Sequence, residues 1–512
     1  MKKVISLILT ALLCMTCFSA CGENGNGGGG GNSGGLIRVQ YHVGGFGDKW
    51  LEDIAADYKA ATGVTVKLVP SYTNGEIQSL LNSRQQTNDV LLPLLGVWQA
   101  QDAKLLEDLT EVYEAIPSGE TKPVKDKMNA NLRDYMQAED GRWYQLNGAN
   151  SVSTICYNAD TLDKYLGEGQ WEVPNTTTEF IALCDRLKPM NDVYALTTSS
   201  QISYFWDYLG LIWWAQYEGL ESFNNFFVGK YYDSASGEWK TGTQINDAKG
   251  REEALKLCSE LLNSSNGYLH DDAKDMGYTE AQLTLCAQGF GRNLAEVAFM
   301  VSGDWFENEM LAYLTQKPQN IRMMRPPVIS SITDNLETVK TDQLLSDVID
   351  AIDNGETSYA NVSEEDFAKI KTARLMAYTA TPNYPICVPS YRPEKQKELA
   401  KDFLTYLCSD HAQAIYANAM NGLTMSYGYK VNLDDTSDFV RSRIELFGND
   451  MIPVFGDPSS PMVYRGGLAS FPGVSGTMDS VLIDGKSVSS ILKLSEETMI
   501  LKWDQYMDAM KK

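Results

Sequence analysis

An α/β fold in two lobes is what this sequence predicts, and three observations predict it. From Leu36 the chain spells strand, helix, strand, helix, strand, the pattern of a parallel sheet covered on both faces. The same grammar returns beyond residue 150 without any internal repeat. The body from Leu36 to Lys512 also exceeds the ~250–300 residues that one hydrophobic core usually serves.

Taken in order, Leu36 to Val43 is a β-type run. Trp50, Leu51, Ile54, Ala55 and Tyr58 recur at helical spacing until Gly63 stops the helix, and Val64 to Val69 is a second strand ended by Pro70. Ile77, Leu80 and Leu81 mark another helix, and Val90 to Leu95 another buried strand. Further on, Thr176 and Glu179 form a capping box for a helix carrying Phe180, Leu183, Cys184 and Leu187. Glu296 to Val301 is a strand ending at Ser302-Gly303, and Trp213 and Trp214 in LGLIWWAQY are assigned to packing. From Ser330 to about Lys371 the chain turns acidic and polar and reads as a solvated helical insertion.

The residues before this body have a different character. Met1-Lys2-Lys3 is a basic start, and the apolar run Val4 to Phe18 falls short of the ~20 residues that span a bilayer. It fits a secretory signal. Ser19 and Ala20 then precede Cys21-Gly22, which resembles the lipobox of bacterial lipoproteins, where the cysteine takes a diacylglyceryl group and the chain is cut just before it. Phe18 stands where that pattern has Leu. The expectation is a signal peptide at 1–20 and a lipidated Gly-rich tether at 21–35. Nine of the residues from Gly22 to Gly35 are glycine, too little apolar surface to fold, and such a coil reaches ~20 Å. Two acyl chains supply the stable anchoring that one does not.

Composition excludes several classes. Acidic residues outnumber basic ones 67 to 43, a net charge of −24, so the surface repels phosphate backbones and nucleic acid is not an expected partner. Cys156, Cys184, Cys258, Cys286, Cys387 and Cys408 are scattered, with no CxxC pair. Cys184, Cys258 and Cys408 fall on apolar helical stripes and read as buried thiols, disulfides being the other reading. His42, His270 and His411 have no metal-ligand spacing, and the Asp-rich NLDDTSDF lacks a calcium-loop pattern. No metal or cofactor is expected.

Five segments carry a family resemblance. They are GRWYQLNGANSVSTICYNADTLDKY (141–165), TTTEFIALCDRLK (176–188), AEVAFMVSGDWFENEM (295–310), RPEKQKELAKDFLTYLCSDHAQAIY (392–416) and IDGKSVSSILKLSEETMILKWDQY (483–506). In this order they resemble the extracellular solute-binding proteins of ABC importers, family 1, the maltose-binding-protein-like carbohydrate type. The resemblance implies a two-lobed periplasmic-binding-protein-like fold with hinge crossings and a ligand cleft. Lobe one would comprise 36–147 plus 300–383, and lobe two 148–299 plus 384–512. Hinge residues would be Asn147, Gly148, Asn383 and Tyr384. Gly148 suits a hinge because glycine accepts the φ/ψ change, although it reads equally as a turn glycine.

Ligands in open α/β sheets gather at the carboxyl ends of strands. VGGFGDKW after the first strand offers Gly44, Gly45 and Phe46; lacking GxGxxG, it is a tight strand-to-helix turn rather than a phosphate cradle. Trp98 follows the third strand, Tyr204, Trp206 and Asp207 form an aromatic loop, and Asp304 and Trp305 close a strand. A sugar has an apolar face and a ring of hydroxyls, so flat rings beside carboxylates suit it. The resemblance puts Trp98, Tyr204 and Trp305 at sugar-contacting positions; core packing is the other reading for Trp98, Trp206 and Trp305. Arg465 offers bidentate hydrogen bonds to a ligand, or a surface ion pair.

The function expected is a non-enzymatic monomeric receptor at the outer face of the bacterial cytoplasmic membrane, lipid-anchored at Cys21. It would capture a sugar or oligosaccharide and deliver it to an ABC permease. The alternative is a membrane-tethered carbohydrate hydrolase using Asp207 and Asp304 as paired acids.

Overall fold

The structure, a computed structural model, describes residues 35–511 apart from 74, 95, 292, 380–383, 449, 469–470 and 472–484. Cys21 and Asn383 lie outside the described residues.

The first lobe is built on β1 (Leu36–His42), β2 (Thr65–Ser71), β3 (Val90–Leu92) and β4 (Leu146–Asn147). β1 runs parallel to both β2 and β3. Helix Lys49–Thr62 buries Trp50, Leu51, Ile54, Ala55 and Tyr58, and Gly63 ends it in the left-handed region at φ 77°, where glycine carries no Cβ penalty. Pro70 does not end the second strand as the sequence reading expects. It pairs in register with Tyr41, which its place on an edge strand allows, since one side of that strand needs no donor.

The second lobe holds β5 (Ser153–Asn158), β6 (Val193–Thr197), the hairpin β7 (Lys230–Asp233) and β8 (Glu238–Thr241), β9 (Glu296–Gly303), β10 (Ile321–Met324) and β11 (Met376–Tyr378). The chain then returns to the first lobe as β12 (Pro385–Ile386), antiparallel to β4, while Cys387 bridges Leu91 of β3. It finishes in the second lobe with β13 (Ile452–Val454). The larger sheet runs β13-β11-β5-β9-β6, with β10 also on β5. The capping box of helix Thr177–Leu187 is formed in both directions.

Strand pairing draws the lobe boundary elsewhere than the sequence reading. β9 lies between β5 and β6, so residues 300–378 stay in the second lobe. Residues 385–419 belong to the first, where Phe403 packs on Tyr58 and Tyr416 on Trp50, each pair of rings 5.1 Å apart. Nor is 330–371 a solvated insertion. Helix Asp342–Asp353 buries Leu345, Val348, Ile349 and Ile352, and helix Glu364–Leu375 buries Phe367 and Ile370, in the core that holds Trp213 and Trp214. Their acids occupy the outer faces of amphipathic helices. All six body cysteines are buried and free.

Candidate functional site

The two lobes meet at a seam of aromatic rings. From the first lobe comes the loop after β1, in which Gly47 adopts φ +63° and its amide donates to the Gly44 carbonyl over 2.8 Å. The neighbouring glycines permit close approach. A β-carbon on Gly44 would lie 2.0 Å from the Tyr384 hydroxyl oxygen, and one on Gly45 would lie 2.7 Å from a Glu309 carboxylate oxygen and 3.0 Å from the Trp305 ring. Across the seam, the Asn308 side-chain amide donates to the Gly45 carbonyl over 2.5 Å.

Trp305 is half-buried at the centre. Gly303, at the end of β9, sits beneath it: a β-carbon there would fall 2.2–2.5 Å from three atoms of the six-membered ring. Phe46 and Tyr208 meet the indole edge-on, each at 6.2 Å. Tyr208 stacks on Tyr204 at 5.4 Å and packs on Tyr378 at 5.0 Å, while Tyr278 is edge-on to Tyr204 and Tyr384 to Phe46. Burial pushes the phenols of Tyr278, Tyr378 and Tyr384 well up. The negative charges of Asp207 and Glu309 add to this, Asp207 on Tyr204, Tyr208 and Tyr378, and Glu309 on Tyr204, Tyr278 and Tyr384. Glu309 keeps an open side and accepts from Gln282 over 2.6 Å. Its crowded carboxyl is nonetheless held above the ordinary range by desolvation.

A second group of rings lies beside the first. Trp98, which starts helix Trp98–Asp102, is buried edge-on against Tyr135 at 5.7 Å, and Tyr135 stacks on Phe455 of the second lobe at 3.9 Å. Arg465 bridges the lobes too. Its guanidinium pairs with Asp102, donates to the Ala509 carbonyl over 3.0 Å and lies over the Tyr464 ring. The ion-pair reading of Arg465 is the one its contacts fit.

Two candidates do not reach the seam. Trp206 is wholly buried; it opens a π-helical turn, Trp206–Gly210, and its ring fills the space over Gly210. Side chains four apart share a helix face, whereas those two apart point away from each other, so Tyr204 and Tyr208 face the seam while Trp206 faces the core. Asp304 is also buried, accepting from Ser151 over 2.9 Å and the Val152 amide over 3.1 Å and pairing with Arg443 at 3.3 Å. The hydrolase alternative thereby loses one of its two acids.

At the crossings, Asn147 is opposite Pro385 in the β4–β12 pair, and its side-chain amide donates to Ser426 over 2.8 Å. The Gly148 amide donates to the Tyr384 carbonyl over 3.1 Å, and a β-carbon on Gly148 would stand 2.3 Å from that oxygen. Glycine is thus required here for contact between the two crossing strands. Among the described residues no group of three or more His, Cys, Asp or Glu is placed to hold a metal ion. Sequence reasoning passed over Tyr208, Tyr278, Tyr378, Asn308, Glu309, Tyr135 and Phe455. Only Tyr208 had a local signal, its spacing of four from Tyr204.

A family model described as bacterial extracellular solute-binding protein matches residues 53–438. Solved structures share the fold over nearly their full length. The apo form of RafE from Streptococcus pneumoniae is 14% identical, covers 94% of this chain and 100% of its own, and gives a TM-score of 0.60. RafE in complex with raffinose is 15% identical, covering 90% and 99%, with a TM-score of 0.58. Lmo0181 from Listeria monocytogenes, in complex with cycloalternan, is 14% identical, covering 92% and 99%, with a TM-score of 0.57. No curated protein sequence matches the chain.

Proposed function

The chain belongs to the bacterial extracellular solute-binding proteins, and from that premise we propose that it captures a saccharide in the aromatic seam and hands it to a membrane permease. The observation that carries this reading is the meeting of rings from both lobes around Trp305. A saccharide seated there touches Phe46 and Tyr384 on one side and Tyr204, Tyr208 and Tyr378 on the other. It therefore has more contacts when the lobes close than when they part, and shifts the population toward the closed form by that difference. The apolar faces of the sugar rings match the aromatic planes, and Asp207, Glu309 and Asn308 stand where hydroxyl groups need directed partners. Two of the similar structures hold raffinose and cycloalternan, which supports a saccharide over other solutes. The paired crossing strands β4 and β12, with Gly148 against Tyr384, supply the hinge.

Anchoring is part of the same proposal. A diacylglyceryl group on Cys21, with the glycine tether, would keep a monomeric receptor at the outer face of the cytoplasmic membrane. The test is a thermal-shift screen of the purified protein against a carbohydrate panel. A ligand at a hundred times its dissociation constant is expected to stabilise it by ~2.7 kcal/mol, and recovery of the sugar chemically unchanged separates a receptor from a hydrolase. A panel without a single stabilising saccharide would overturn the reading.

A further inference from the structure

A second cavity, of about 330 Å³, has Asn147 of the crossing strand β4 in its wall and stands at the lower end of the ~300–1,000 Å³ typical of small-molecule sites. Its walls come from both lobes: Leu132 and Met425 from the first, Phe447 and Met451 from the second. None of the seam rings lines it. The separation is visible at the end of β11, where Tyr378 packs on Tyr208 whereas Thr379, the residue that follows the strand, lines the cavity.

Charge separates the two places further. In a chain with a net charge of −24, no Asp or Glu among the described residues lines this cavity, while Lys127, Lys430 and Arg443 do. Lys127 is paired with Glu120 and Asp410, and Arg443 with Asp304. Lys430 is exposed and makes no ion pair among the described residues. The walls are mixed, with Asn129, Asn147 and Asn150 beside the apolar patch of Leu132, Met425, Phe447 and Met451, and such a patch with a cation at its edge suits a guest with an aliphatic body and one negative, hydrogen-bonding end.

We propose that the hinge cavity is a binding site for a small aliphatic carboxylate, its hydrocarbon part among Leu132, Met425, Phe447 and Met451 and its carboxylate toward Lys430. This does not depend on the saccharide reading of the seam. The test is titration calorimetry of the purified protein with butanoate, pentanoate, hexanoate and hexylamine, together with methyl and indole NMR. Hexanoate is expected to saturate, with affinity rising about fourfold per added methylene, and to shift the Met425 and Met451 methyl signals without moving the Trp305 indole signal. Lys430→Glu, at an exposed position that leaves the fold alone, is expected to weaken hexanoate roughly fivefold or more. The proposal falls if hexanoate does not bind, if hexylamine binds as well as it does, if Lys430→Glu changes nothing, or if the Trp305 indole is the group that moves.

Discussion

The seam and the hinge cavity are made by the same two lobes, yet their linings differ in charge and in aromatic content. The seam presents a cluster of rings, half-buried at Tyr204, Trp305 and Tyr378, with Asp207 and Glu309 among them; the cavity presents aliphatic side chains, three asparagines and three cations. At the end of β11 they divide, Tyr378 packing on Tyr208 in the seam and Thr379, just beyond the strand, lining the cavity. Arg443 stands between the two, lining the cavity while pairing with Asp304, the residue before Trp305. The difference teaches that the same two lobes can enclose two spaces with different linings, which need not select the same guest.

Breaking the link between them should have the largest effect. Arg443→Met leaves Asp304 buried without its cation, and is expected to cost ~3–5 kcal/mol in urea unfolding. Adding Asp304→Asn should recover much of that loss. If the single variant is as stable as the parent, Asp304 is solvated and the two regions are not joined through it.

The comparison sharpens when two nearby tryptophans are truncated. Trp206→Ala empties a core site and should lower stability by ~3–5 kcal/mol, with saccharide binding falling only as the fold does. Trp305→Ala should abolish the saccharide-induced thermal shift while the unliganded melting temperature moves by a few degrees. A large loss of unliganded stability would place that indole in the core. Next in size is Gly303→Ala. Its β-carbon would fall 2.2 Å from the indole, forcing the ring aside at a cost of ~1–3 kcal/mol. A weakened saccharide response with a shifted Trp305 emission is the expected signature, and unchanged emission would show that the strand moves instead.

How much of this was legible depended on whether the signal was local. The first lobe's strands and helices follow from buried runs and amphipathic spacing that a short window contains, as with Trp50 to Tyr58 stopped by Gly63. The capping box at Thr176 is equally local. The lobe boundary was not, because β9 ends in Gly303 like a strand about to cross, and only its pairing with β5 and β6 keeps it in the second lobe. The acids of 330–371 hid an inner face of Leu345, Ile349 and Ile370. At the seam, Tyr278 arrives a hundred residues before Tyr378 and Tyr384, and those two reach it from either side of the segment between β11 and β12, so no local periodicity joins them. Trp206 misled because its neighbours are true seam residues, and a helical turn sends it the opposite way.

The smallest effect concerns the acid side of the comparison. Desolvation holds the folded Glu309 carboxyl above its ordinary value, so the folded state binds that proton more readily than the unfolded chain. Any stability from the neutral form is complete below the unfolded carboxylate range and is lost as pH rises through the raised folded value. Glu309→Gln carries no such loss and can still accept from Gln282. Thermal melts of the two proteins should therefore coincide in acid, diverge in favour of the variant as Glu309 ionises, and then run parallel to neutral pH. A gap of the opposite sign would mean that the ionised carboxylate is stabilised at the seam. That result would break the contrast with the basic cavity, because it requires positive potential reaching Glu309 from groups other than those packed around it.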